Sequence, residues 1–238
     1  LNEHLQNEEL QEMEEQTVSQ LRDAAENVRS GEFHKLPSED LARNIENLIE
    51  ILRNTNASLA YTSLKAHSDY LAQHGFEVCK LALYFTLTYQ DRLYELYQDE
   101  NPAGTLSKDE LINQLGIGSL LLDLGNWEIP VETLKKSEPL TMVEWEAIEQ
   151  HPRLGYELLQ EIDDISASAR LPALLHHERH AGQGYPEGKR SKNIHLFGRI
   201  TALADVYCAL TTERPYRIEL TPNRARQIML SMQEDELH

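Results

Sequence analysis

The sequence predicts an all-helical protein, and three observations support this class. Apolar residues recur three and four positions apart along much of the chain, which places them on one face of a helix. Two pairs, Ser107 with Glu110 and Thr141 with Glu144, have capping-box spacing and precede such stretches. No stretch shows the sustained alternation of apolar and polar residues that marks a strand, so no sheet is expected.

The first helix is expected over residues 1–30, as a long and exposed one. Its apolar residues form a narrow stripe among Glu and Gln, and Gly31 is placed to end it. A narrow stripe suits pairing with another helix, so it is either a packing face or linker within the chain or the seam of a homodimer. We predict a helical extension over residues 1–36 and a separate domain over residues 37–238. The stripe comprises Leu10, Met13, Val18, Leu21, Ala25 and Val28.

The next two helices follow from similar signals. Pro37 and Ser38 begin a stretch whose apolar residues share one face. A longer helix is expected over residues 59–89, with a break near Ser68.

Further helices flank a glycine-rich loop in the C-terminal half. Ser166 is placed to cap a helix that runs into His176. Residues 181–188 predict a loop, and helix is expected again over residues 194–211.

The composition restricts the partners. The formal net charge of −18 argues against DNA or an anionic membrane, because both need a basic surface. An anionic ligand therefore needs a bound metal or a local arginine cluster. No apolar run approaches the roughly 18 residues of a membrane span, and the distant cysteines Cys79 and Cys208 favour a reducing cytoplasm. Because the sequence opens with Leu1 rather than Met, we read it as a piece of a longer protein.

Histidines and aspartates in the C-terminal two-thirds are candidate metal ligands. Imidazoles and carboxylates without thiolates suit iron, manganese or zinc in hydrolysis. The pair His176–His177 ends an apolar helix, and two imidazoles about 100° apart can reach one cavity. A single histidine is more often structural, so spacing alone leaves both readings open. The candidates are His74, Asp123, His151, His176, His177 and Asp205.

A longer pattern surrounds these residues. Residues 176–186 read H-H-E-R-H-A-G-Q-G-Y-P, and residues 198–207 and 211–217 read G-R-I-T-A-L-A-D-V-Y and T-T-E-R-P-Y-R. Upstream, residues 139–155 contain P-L-T, E-W and H-P-x-x-G, and residues 70–78 contain Y, H and V at matching positions. In this order the motifs resemble the HD-GYP family, whose signature includes H-H-E-x-x-D-G-x-G-Y-P and R-P-Y-[KR].

The resemblance, which spans roughly residues 40–217, implies a bundle of helices around a two- or three-metal site that hydrolyses cyclic di-GMP. It implies that Arg214 and Arg217 hold phosphates and that Tyr185 is the tyrosine of the G-Y-P motif. It also implies that all the candidate ligands named above bind metal, with Asp123 as the catalytic aspartate of the HD pair.

Three positions depart from the family pattern. The family's H-D-x-G-K falls at residues 122–126, which read L-D-L-G-N, so Leu122 replaces the histidine and Asn126 the lysine. Ala181 replaces the aspartate of D-G-x-G-Y-P. The metal ion that the replaced histidine would bind should be held weakly or be absent, so the chain is expected to bind one ion or none. The ligands of the other metal are intact: Asp123, His151, His176 and His177.

Three hypotheses follow for this cytoplasmic domain. The favoured one is a degenerate HD-GYP domain that senses cyclic di-GMP or a related cyclic dinucleotide, or binds a protein of the diguanylate-cyclase type. The second is an active phosphodiesterase working with fewer metals. The third is a metal-dependent phosphohydrolase acting on another nucleotide. Leu122 and Asn126 separate the first hypothesis from the other two.

Overall fold

The computed structural model describes residues 2–32, 37–54, 70–102, 104, 106–136, 138–212 and 219–232, and within these ranges it contains helices and no strand. Two short 3₁₀ turns, Leu124–Glu128 and Ser191–Asn193, accompany the α-helices. The α-helices are α1 (Asn2–Arg29), α2 (Ser38–Arg53), α3 (Tyr70–Thr88), α4 (Gln90–Glu100), α5 (Lys108–Leu120), α6 (Val131–Leu134), α7 (Met142–Ile148), α8 (His151–Gln160), α9 (Leu171–Leu175), α10 (Leu196–Thr211) and α11 (Pro222–Ser231).

The centre of the bundle is the pair α3 and α5. Helix α10 packs on α3, and α9 lies between α8 and α10. The largest fully buried apolar side chains include Phe76 on α3 and Phe197 on α10. Burying side chains of this size is the main favourable term in folding, roughly 1.5–3 kcal/mol for each. The helices that carry the candidate ligands are therefore held by the core itself.

Helix α1 packs on the bundle through its apolar stripe, while most of its polar side chains stay exposed, so of the two predicted uses of the stripe the structure shows packing within the chain. Its predicted stripe faces α2, α3 and the turn at residues 124–128, with Leu21 almost completely buried. Buried Asn44 on α2 adds polar contacts by donating to Thr17 Oγ1 at 3.1 Å and to Gln20 Oε1 at 2.9 Å. The stripe is thus a packing face within the chain. The division between residues 36 and 37 stays a prediction.

The local signals gave most of the helix ends. Gly31 has a φ of +78°, the left-handed conformation expected just past a helix. Helix α2 begins at Ser38, and both capping boxes are present at the starts of α5 and α7. The expected helix over residues 59–89 is described only from Tyr70 to Thr88, and the predicted break near Ser68 lies outside the described residues.

Two later helices begin after their expected starts. Ser166 Oγ accepts from the backbone N–H of Ala169 at 3.2 Å, but it caps a turn, and α9 itself starts at Leu171. Helix α10 starts at Leu196 because the ring Nδ1 of His195 accepts from the backbone N–H of Phe197. No described helix combines the length and the hydropathy needed to cross a membrane.

Candidate metal centre

Three segments meet at the candidate site, each with a ligand at the end of a helix or turn. Asp123 precedes the turn Leu124–Glu128, His151 is the first residue of α8, and His176 follows α9. A Cβ added at Gly125 would lie 2.0 Å from the carbonyl oxygen of His151. The glycine therefore allows the turn, and Asp123 with it, to approach α8 closely.

Backbone carbonyls orient the two buried imidazoles. Nδ1 of His151 lies 2.7 Å from the carbonyl oxygen of Ile148. Nδ1 of His176 lies 2.9 and 3.0 Å from the carbonyl oxygens of Pro172 and Ala173. Because a carbonyl only accepts, each Nδ1 carries the hydrogen and donates it. In the neutral ring, each Nε2 then keeps a lone pair, which is the form in which imidazole binds a metal.

These lone pairs converge on each other and on a carboxylate. His151 Nε2 is 3.2 Å from His176 Nε2. Asp123 Oδ1 is 3.3 Å from the first of these nitrogens and 3.7 Å from the second. Acceptors buried this close together repel unless a proton or a metal ion lies between them. Imidazole and carboxylate together suit zinc, iron or manganese, so the residues present fit a divalent metal.

His177 adds a further nitrogen to the cluster. One ligand atom each from His151, His176 and His177 lies within 4.8 Å of the others. Burial, followed by the electrostatic effect of the neighbouring His176 and His151 rings, holds the pKa of His177 well below its usual range, so this imidazole is neutral. Tyr185 stacks on it with ring centroids 4.6 Å apart, and burial raises the pKa of the phenol. The tyrosine of the G-Y-P motif therefore covers one side of the histidine cluster.

Asp123 is the shared carboxylate of the site. Burial alone would raise its pKa, but hydrogen bonds that His151 and His176 donate when their rings carry a second proton outweigh burial and hold the pKa well below the usual range. The side chain is thus ionised and available to a cation. Asn126, at the position of the family's lysine, donates from Nδ2 to Asp123 Oδ1 at 2.8 Å. The substitution therefore exchanges a cation for a neutral amide that contacts the ligand.

The other side of Asp123 holds the remaining two predicted ligands. His74 Nε2 is 2.9 Å from Asp205 Oδ1 and 4.0 Å from Asp123 Oδ2. Leu122 is completely buried and belongs to the hydrophobic core. The structure brings His74 and Asp205 together beside the shared carboxylate, and Leu122 contributes no donor atom there.

Glu178 is an anchor of the following loop that the sequence argument did not single out. Its side chain is buried, and its two carboxylate oxygens each accept at 2.8 Å, one from the backbone N–H of Glu187 and the other from that of Lys189. The backbone N–H of Tyr185 donates to the carbonyl oxygen of His177 at 3.2 Å. The sequence did offer one signal for this role: Glu178 directly follows the histidine pair that ends an apolar helix. A charged side chain that becomes buried there needs hydrogen-bond partners.

The structure does not describe the two arginines that are predicted to bind the phosphates. Arg214 and Arg217 lie outside the described residues, so their contact with the site stays a prediction. Ala181 lies in the loop anchored by Glu178, and Gly182 beside it has a φ of +80°. The loop therefore keeps its glycine-dependent geometry without the family's aspartate.

A helical bundle with a buried His/Asp centre of this kind defines a class of metal-binding domain, and comparison with known proteins identifies its family. Residues 98–237 match the family model described as HD domain. The chain is also similar to a structure of "Bd1817, a HDG"Y"P protein from Bdellovibrio bacteriovorus", with a TM-score of 0.67, 15% identity, and coverage of 95% of this chain and 66% of that one. The chain belongs to the HD domain family.

Curated relatives agree with this assignment. "Cyclic di-GMP phosphodiesterase PA4108" of Pseudomonas aeruginosa is 33% identical over 200 residues, which are 84% of this chain and 43% of that protein. "Cyclic di-GMP phosphodiesterase response regulator RpfG" of Xanthomonas campestris is 41% identical over 122 residues, 50% and 32% of the two chains. "3'3'-cGAMP-specific phosphodiesterase 2" of Vibrio cholerae is 31% identical over 186 residues, 78% and 33%. The chain spans less than half the length of these relatives.

Proposed function

We propose that this chain is an HD-GYP domain of cyclic-dinucleotide signalling that keeps one metal position, hydrolyses its ligand weakly or not at all, and acts by sensing the ligand or binding a partner protein. The observation that carries this proposal is the contrast between the two sides of Asp123. One side holds converging nitrogens of buried histidines. On the other side, the family's third ligand corresponds to Leu122, an apolar residue that cannot bind a metal.

The ligand class is supported by the relatives. Their names record activity on cyclic di-GMP or on 3'3'-cGAMP, both of which are cyclic dinucleotides. A divalent ion, when bound, supplies Lewis acidity toward a phosphate oxygen. Arg214 and Arg217 are the proposed grips on the phosphates, since arginine binds phosphate oxygens bidentately. In a chain with a net charge of −18, local positive charge of this kind is required.

Weak hydrolysis follows from the side chains around Asp123. Leu122 cannot ligate, so a second ion has only His74, Asp205 and the shared carboxylate. A single ion cannot stabilise both the attacking and the leaving oxygen of a phosphodiester. Asn126 brings no positive charge to the phosphate. Removing one electrostatic stabiliser commonly costs about 10²–10³-fold in rate, and such losses multiply.

The second candidate is an active cyclic di-GMP phosphodiesterase with an incomplete metal site. Its support is that His74 and Asp205 remain beside the shared carboxylate. His74 Nε2 lies 2.9 Å from Asp205 Oδ1 and 4.0 Å from Asp123 Oδ2. Two ligands and a shared carboxylate hold a weakly bound second ion when that ion is supplied in excess. Activity that appears only at high metal concentration would favour this candidate.

The deciding experiment compares the unaltered chain with the triple variant Leu122→His, Asn126→Lys, Ala181→Asp. Both are purified without chelator, their metal content is measured, and turnover of cyclic di-GMP is assayed with Mn²⁺ or Fe²⁺ under reducing conditions. Leu122→Gln is the matched control, because it places a polar side chain at the same position without an imidazole. We expect little or no turnover by the unaltered chain. Turnover on the order of 1 s⁻¹ or more would contradict the degenerate function.

The sensing function has its own measurement. Calorimetry with cyclic di-GMP should show binding by the unaltered chain. If no cyclic dinucleotide binds, the ligand-sensing part fails, and a protein of the diguanylate-cyclase type becomes the partner to test.

A further inference from the structure

Helix α1 lies against two of the three segments around the His74 side of the site. It packs on α3, which bears His74, and on the turn Leu124–Glu128, which directly follows Asp123. The approach of a helix to two ligand-bearing segments gives it a route to affect their relative positions. The contact that provides this route is polar.

That contact joins Glu14 to Gln73. The amide Nε2 of Gln73 donates to Glu14 Oε1 across the α1–α3 interface, and Glu14 is only 5% exposed. Gln73 directly precedes His74, near the start of α3. The hydrogen bond therefore holds the first turns of α3 at the point from which His74 extends toward Asp205.

The burial of Glu14 is unfavourable by itself. Its second oxygen, Oε2, is buried without a hydrogen-bond partner. The nearest charges on α3 are Glu77, which repels the carboxylate, and the fully buried Lys80, which attracts it but already pairs with Glu77 at 2.8 Å. An apolar side chain would bind α1 to the bundle at lower cost. Packing alone thus does not account for a carboxylate at this position.

We propose that Glu14 is a positioning residue that acts through Gln73 to direct His74 toward Asp205 and the shared Asp123. This inference rests on the proposed metal centre. It makes α1 a control element, because a shift of α1 that breaks the Glu14–Gln73 hydrogen bond releases the start of α3. The His74 side of the site then loses its alignment while the His151–His176 side keeps its own carbonyl contacts.

The test compares Glu14→Ala with Glu14→Gln. The glutamine keeps an oxygen that accepts from Gln73, whereas alanine does not. Glu15→Ala is the matched control, since it removes the same charge from the next, exposed position of α1. The first readout, in metal-free protein, is the nuclear magnetic resonance of the His74 imidazole together with amide exchange over residues 71–79. The second is calorimetric titration with Mn²⁺ alone.

For Glu14→Ala we expect shifted His74 signals and amide exchange near the start of α3 that is faster by about tenfold. Mn²⁺ affinity at the His74 side, seen as the weaker binding step, should fall by about tenfold, while the tighter step at the His151–His176 side stays unchanged. Glu14→Gln and Glu15→Ala should match the unaltered chain. If Glu14→Ala does not fold, Gln73→Ala removes the other partner and should give the same three changes. Unchanged His74 signals and exchange in a folded alanine variant would overturn the inference while leaving the metal centre intact. Shifted His74 signals in a chain that binds no Mn²⁺ would support the positioning role and reject the metal centre.

Discussion

Replacing Glu178 should release the loop that covers the histidine cluster. The carboxylate is buried and accepts from two backbone N–H groups, those of Glu187 and Lys189, each at 2.8 Å. These contacts fold the loop back so that the backbone N–H of Tyr185 reaches the carbonyl oxygen of His177. Glu178→Gln keeps the length of the side chain but turns an NH₂ group toward one of the two donors.

The size of the effect follows from the two hydrogen bonds. A hydrogen bond to a charged group contributes about 1.5–3 kcal/mol, and a buried donor left without a partner costs about 1–3 kcal/mol. Glu178→Gln loses the charge and one of the two bonds, so we expect a loss of about 2 kcal/mol. Glu178→Ala strands both N–H groups and should lose about 3–5 kcal/mol.

Urea denaturation and amide exchange measure these losses. We expect faster exchange of the amides of Glu187 and Lys189 in both variants, with the larger change in Glu178→Ala. The matched control is Glu187→Gln, whose side chain pairs with the Lys189 ammonium at the surface and should change stability by no more than about 1 kcal/mol. If Glu178→Gln denatures at the same urea concentration as the unaltered chain and both amides keep their exchange rates, the carboxylate does not anchor the loop.

Three further predictions concern the metal, the phosphates and pH. His176→Ala should lose the tightly bound ion, which elemental analysis measures. A normal metal content in this variant would contradict the single metal position, and so would two ions at full occupancy in the unaltered chain. Arg214→Ala should weaken cyclic di-GMP binding by about tenfold or more, and equal calorimetric affinity of the unaltered chain and the double variant with Arg217→Ala would reject this pocket. Burial, followed by repulsion from Glu77, raises the pKa of Glu14 from 4.5 to about 7, so the folded chain holds this proton more tightly and stability falls as pH rises through that range. Glu14→Gln should therefore be more stable than the unaltered chain by about 1–2 kcal/mol at pH 8, after allowance for solvent screening, with most of the difference gone at pH 5; equal differences at both pH values would contradict it.

The parts of the fold that depend on neighbouring residues were predictable from the sequence. Both capping boxes and the end of α1 at Gly31 depend on side chains within four residues of the helix end. The surface on which α1 packs was not predictable in this way. A narrow apolar stripe shows that a helix pairs with something, but which surface it meets depends on contacts such as Asn44 with Thr17, 27 residues apart.

The site likewise has parts that the sequence predicted and parts that depend on residues distant along the chain. The order of motifs along the chain predicted which histidines and aspartates to consider, and in the structure Asp123, His151 and His176 lie within 3.7 Å of one another. The roles of Glu178 and Glu14 were missed. The partners of Glu178 lie nine and eleven residues further along a loop, and the partner of Glu14 lies 59 residues away on another helix. Neither distance leaves a periodic signal in the sequence.

The two sides of Asp123 differ in what an ion gains by binding there. On the His151–His176 side, two acceptor nitrogens face each other at 3.2 Å, and a cation between them removes a repulsion that the metal-free chain must otherwise relieve with a proton. On the other side, His74 and Asp205 already satisfy each other at 2.9 Å, so an ion must first break that contact. An ion at 100 times its dissociation constant stabilises the fold by about 2.7 kcal/mol. Bonds that must be broken raise the dissociation constant, so the same ion concentration then gives a smaller gain. The proposed preference for one ion therefore has a second cause besides Leu122, and restoring a histidine at position 122 must also overcome the His74–Asp205 contact.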